Sequence, residues 1–98
     1  MHPTVGRIVH YRMSEVDVRA VRTQLKGNPT ALLNQSNLPQ ARQWYAAVVT
    51  SVTSVTGQPG HPLVNLKVFL DGPFDYFAAS RVEGDEAGTW CWPPREGG

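Results

Sequence analysis

Apolar and polar residues alternate with a period of two over most of this chain, and one stretch departs to helical spacing. The cleanest alternation runs over residues 63–70, with Val64, Leu66, Val68 and Leu70 on one face and Asn65, Lys67 and Phe69 on the other. Residues 44–55 predict a long strand, in which Val48, Val49, Val52 and Val55 stand among threonines and serines. Residues 74–80 predict a returning strand with Phe74 and Tyr76 opposite Asp75 and Phe77. Residues 5–12 predict the first strand, rich in β-branched and aromatic side chains. One parity there carries Val5, Arg7, Val9 and Tyr11, and the other carries Gly6, Ile8, His10 and Arg12. Neither face is cleanly apolar, which implies a bulge near Gly6 or a strand covered on both sides. A closing strand follows the polar loop over residues 84–88: Trp90 and Trp92 project to one side and Cys91 to the other. Pro93 and Pro94 stop it, because neither donates to a ladder.

The helical stretch runs from Ser14 to Leu25. Ser14 can cap it, and Asp17 at the third helical position sets a carboxylate near the positive end of the dipole. Val18, Val21 and Leu25 form one buried stripe, while Arg19, Arg22 and Lys26 form a basic stripe on another face. Gly27 suits the position just past the end. A long connection then leads to about residue 42. Ala31, Leu32 and Leu33 can add a turn of helix, and Asn34 to Pro39 read as loop. Gly57-Gln58-Pro59-Gly60 and Asp71-Gly72-Pro73 mark turns.

The fold class this predicts is mostly β. It is a small five-stranded barrel or bent antiparallel sheet, with one helix inserted between the first and second strands. Barrels of the Src-homology-three type carry a long first loop in the same place. The 98 residues make one domain, 1–98, with 13–42 as the helical and loop insertion. Pairing of the first and last strands would close it.

Composition narrows the function classes. No apolar run approaches the ~20 residues that span a bilayer, so no membrane partner is expected. The lone Cys91 forms no internal disulfide, and three scattered histidines lack metal-ligand spacing, so no cofactor or metal is expected. A net charge of +1 disfavours nucleic acid. The charge is unevenly spread, however: residues 1–49 hold six basic and two acidic side chains, and residues 50–98 hold three and six. That asymmetry hints at an electropositive face.

The opening Val5-Gly6-Arg7-Ile8-Val9-His10-Tyr11 and the close Gly88-Thr89-Trp90-Cys91-Trp92-Pro93-Pro94 resemble the ends of a family of small, mostly uncharacterised tailed-phage and prophage proteins. Gly27-Asn28-Pro29 is similar to a middle element of many of them. The likeness covers about a quarter of the chain, and Cys91 stands where those relatives usually carry histidine. It implies phage origin, the host bacterial cytoplasm as setting and no enzymatic activity.

Candidate site residues divide by chemistry. Trp90 and Trp92 serve either as core closure against Val5, Val9 or Val64, or as a stacking platform for a nucleobase. Trp44 and Tyr45, which open the second strand, carry the same two readings. Arg19, Arg22 and Lys26 are either a solvated helix face or an anion-binding patch, to which Arg7, Arg12 and Lys67 on the strands can add. His10 and Tyr11 lie beside Arg7 and Arg12 in sequence. Cys91 with His10 is conceivable as a nucleophile pair, but nothing in the sequence shows the electropositive niche a thiolate needs. The expected function is non-enzymatic sequestration of a small, anionic, nucleotide-like signal of host defence, by a homo-oligomer with pockets where protomers meet. The alternatives are a phage structural or assembly protein acting through protein contacts, and a nucleic-acid-binding accessory.

Overall fold

The computed structural model describes residues 3–27, 39–53, 62–71 and 74–94. The elements in chain order are β1 (Ile8–Arg12), α1 (Glu15–Lys26), β2 (Trp44–Thr53), β3 (Leu63–Phe69), β4 (Asp75–Arg81) and β5 (Trp90–Cys91). The strands form one sheet in the order β4-β3-β2-β1-β5, every neighbour antiparallel. First and last strands do pair, Tyr11 opposite Trp90 and His10 opposite Cys91. The sheet is bent and not closed into a barrel, so of the two predicted architectures the second holds. One isolated parallel bridge, Glu83 to Trp90, tacks the chain leaving β4 to β5.

The bend has a local cause at Asn65. Two registers slip around it, one in β2 between Val49 and Ser51 and one in β4 opposite the step from Val64 to Leu66. Each slip is an extra residue that bends its strand. Asn65 meets both: its backbone carbonyl accepts from the Thr50 hydroxyl at 3.2 Å, and its side-chain oxygen accepts from the Ser80 N–H at 2.9 Å. Ser80 sits at φ 58°, in the left-handed region.

The β3 alternation is as its sequence predicts, with Val64, Leu66, Val68 and Leu70 buried. In β1 the parity carrying Val9 and Tyr11 is fully buried, whereas Ile8 on the other face is half-exposed. Before Ile8, Gly6 and Arg7 together oppose Val49, the Gly6 N–H donating to the Val49 carbonyl at 2.8 Å and the Val49 N–H to the Arg7 carbonyl at 2.9 Å, which is the bulge the sequence implies. Residues 4–7 turn, with the Arg7 N–H donating to the Thr4 carbonyl at 3.2 Å and Gly6 at φ 94°, a conformation that favours glycine. The mixed pattern of residues 5–12 thus reflects a turn and a bulge at Gly6 ahead of the strand, and Val5 lies outside the core.

Helix α1 covers the inner face of the sheet, its Val18, Val21 and Leu25 joining Val9, Tyr11, Met13, Leu66 and Trp90 in one core. Ser14 caps it and shares a capping box with Asp17. Gly27 is the C-cap in right-handed helical backbone, φ −73°, and not the left-handed residue past the end that its sequence suggests. Asn28, Pro29, the 31–33 helical turn, the 34–38 loop, the turn over residues 57–60 and Gly72-Pro73 lie outside the described residues. Among the described residues, no helix is long and apolar enough to cross a membrane.

Candidate functional site

Asp17 organises the inner face. Its side chain is 0 % exposed, so the carboxylate must be matched by donors to be tolerated. Five donors among the described residues meet it. The Tyr11 hydroxyl and the Ser14 N–H and hydroxyl reach Oδ2, and the Tyr76 hydroxyl and an Arg81 terminal nitrogen, both at 2.8 Å, reach Oδ1. The Ser14 hydroxyl also accepts from the Asp17 N–H at 3.1 Å, closing the cap. Burial on its own would raise the Asp17 carboxyl. The bonds from Tyr11, Ser14 and Tyr76 outweigh it and hold the group below the ordinary aspartate value. Burial, then the bond to Asp17, pushes the Tyr11 and Tyr76 phenols upward. Both remain neutral donors.

The sequence gives Asp17 only a capping role and assigns no role to Tyr76 or Arg81. Tyr76 follows from strand parity, since it shares a face with the buried Ala78. Arg81 does not, because strict alternation puts it on the opposite face. The extra residue at the β4 slip turns Arg81 inward to sit opposite Val64, and its guanidinium lies 5.7 Å from the Tyr11 ring centroid. Asp17 thereby ties α1 to β1 and β4, fixing the helix that carries the basic stripe.

On that helix, Glu15, Val18, Arg19 and Arg22 line a recess of about 300 Å³, completed by Gln40 and Ala41. The far wall is anchored by buried Pro39 and by the Gln40 N–H, which donates to the Tyr45 hydroxyl at 3.0 Å. Arg19 and Arg22 sit one turn apart, both exposed, and no carboxylate pairs with either among the described residues. Glu15, four residues before Arg19, offsets one of the two positive charges. Two guanidinium forks at the wall of a concave space suit a phosphate or carboxylate.

The remaining candidates lie elsewhere in separate pairs. Tyr11 and Trp90 are fully buried core residues and present no face to a ligand. Trp92 is half-buried, edge-on to Trp90 at 5.3 Å between centroids, with the Arg7 guanidinium 5.5 Å from its own ring. Trp44 is 39 % exposed on the outer face of the sheet, and the Arg12 guanidinium lies 5.5 Å from it. Arg12 is itself a clamp: its Nε donates to the Arg42 carbonyl at 2.9 Å and a terminal nitrogen to the Asp85 carbonyl at 2.8 Å. It thus joins the end of β1 to two loops.

His10 and Cys91 face each other across β1 and β5. Burial, with Glu83 and Asp85 nearby, pushes the Cys91 thiol upward, opposite to what thiolate chemistry requires. Among the described residues, no group of three or more His, Cys, Asp or Glu side chains is placed to hold a metal ion.

The fold and site define a bent five-stranded sheet with a basic recess on its covering helix. Compared with known proteins, the chain matches no family model, no curated protein and no solved structure.

Proposed function

We propose that the chain is a non-enzymatic binding protein that captures a small phosphate-bearing ligand in the α1 recess. The observation that carries this reading is the recess of about 300 Å³ with Arg19 and Arg22 on its wall. That volume lies at the small end of ligand sites, suited to a nucleotide or a fragment of one. No aromatic side chain lines the recess among the described residues, so recognition rests on the phosphate and not on base stacking. In the phage setting that the ends of the chain resemble, the use of such capture is to sequester a nucleotide signal of host defence in the bacterial cytoplasm.

Isothermal titration of the full chain against cyclic oligonucleotides, ADP-ribose derivatives and inorganic phosphate tests this. Heat is expected from a member of the panel, and Arg19→Ala or Arg22→Ala should weaken that binding about tenfold or more, the scale of a lost charge-assisted hydrogen bond. Absence of heat across the panel, or equal affinity in both variants, contradicts the reading.

A second reading, a phage structural or assembly protein acting through protein contacts, is favoured by one observation. The outer sheet face carries Ile8, Phe69 and Phe77 about half-exposed. Presence of the chain in purified virions would select it.

A further inference from the structure

The outer face of β3 and β4 has an arrangement of charge and apolar surface that singles out one occupant. Lys67 stands directly opposite Phe77, and Phe69 directly opposite Asp75. All four side chains point away from α1 and are exposed. They form a square in which the two phenyl groups occupy one diagonal and the ion pair the other, Lys67 Nζ to Asp75 Oδ2 at 3.7 Å. We infer that this square is the centre of a two-fold interface with a second copy of the same chain.

Charge complementarity selects the geometry. In a two-fold contact a residue on the axis meets its own equivalent, while off the axis residue i meets j and j meets i. An axis along the Lys67–Asp75 diagonal would set lysine on lysine and aspartate on aspartate, and like charges in an interface cost several kcal/mol. An axis along a strand would set each phenyl on a charge. An axis near the Phe69–Phe77 diagonal opposes Lys67 to Asp75 of the other copy twice and lays phenyl on phenyl. That last arrangement satisfies every group in the square.

A stable interface needs about 800 Å² per partner, more than two phenyl groups supply. The surface continues across the sheet, because Lys67 pairs with Val48 and Val48 with Ile8, which is 51 % exposed on the same face. This contact lies on the side of the sheet away from α1. It is independent of the recess, and each can fail without the other.

Sedimentation velocity on the full chain and three variants tests the inference. The wild type is expected to sediment as a dimer at tens of micromolar. Lys67→Asp and Asp75→Lys should each raise the dissociation constant at least about tenfold, since each opposes like charges twice. Mixed in equal amounts, those two variants should form a heterodimer of near wild-type affinity, because all-acidic then meets all-basic. Phe77→Ser should weaken the dimer without changing charge, and keeps the test open should a charge variant misfold. A wild type that stays monomeric at about 100 μM overturns the inference. So does a mixture of folded charge variants that fails to pair, or assembly that none of the changes moves. Capture of a different protein by a monomeric chain through this face would equally overturn it.

Discussion

Replacing Asp17 with alanine is expected to cost about 3–5 kcal/mol of folding stability, the scale for breaking a buried ion pair by removing one partner. A small domain holds only about 5–15 kcal/mol in total, so this loss removes a large share of its stability. The reason is what remains behind: the Tyr11 and Tyr76 hydroxyls and Arg81 lose their shared acceptor inside a core. Arg81 fares worst, since its Nε already lacks a hydrogen-bond partner among the described residues. Asp17→Asn keeps the shape but not the charge and should recover only part of the loss. Urea denaturation monitored by tryptophan fluorescence reads both. The same group sets a pH dependence. Because the folded carboxyl titrates below its ordinary value of 3.8, its contribution is complete above that value and is lost as pH falls through the folded pKa. Tyr11 and Tyr76 act at the other end: their folded values are raised, so their contribution is complete below 10 and declines as pH climbs past it. A variant at position 17 as stable as wild type would show that the hub is not what holds α1 to the sheet.

Trp90→Ala is expected to cost a similar amount, about 3–5 kcal/mol, because a fully buried indole leaves a large cavity. Trp92→Ala should cost roughly a third to a half as much, since that ring is half-buried and packs against Trp90 by its edge. The contrast separates the two readings of the tryptophan pair. A core residue changes stability when truncated, while a stacking residue changes affinity and leaves stability nearly alone. Paired thermal melts of the two variants, read against wild type, decide it. Equal losses at the two positions would contradict the assigned burial.

The strands were legible where alternation was regular. In β3 every second residue from Val64 to Leu70 is buried, as binary patterning dictates, and helix α1 followed from Val18, Val21 and Leu25 with Ser14 as cap. Legibility failed where a local backbone event changed the parity. Arg81 enters the core through the slip opposite Asn65, and no propensity scale registers a bulge whose residues are alanine and serine. Asp17 was visible as a capping residue but not as a buried hub, because burial depends on Tyr11, Tyr76 and Arg81 arriving from two other strands. Among the candidate site residues, Arg19 and Arg22 came together because helix geometry alone places them one turn apart. Their neighbours Gln40 and Ala41 arrive from the far end of the same 13–42 insertion, where the sequence points to a long connection but to no particular residue. Trp44, Trp90 and Trp92 shared one ambiguity in sequence and have three different surroundings in the fold.

The central claim, that the α1 recess receives a phosphate-bearing ligand, is tested most directly by a ¹⁵N-edited NMR titration of the full chain. The probe is the panel member that gives heat. Amide shifts are expected to concentrate on Glu15, Val18, Arg19, Arg22, Gln40 and Ala41 and to vanish in the Arg19→Ala, Arg22→Ala double variant. Shifts centred anywhere else, or a spectrum the ligand leaves unmoved, would contradict it.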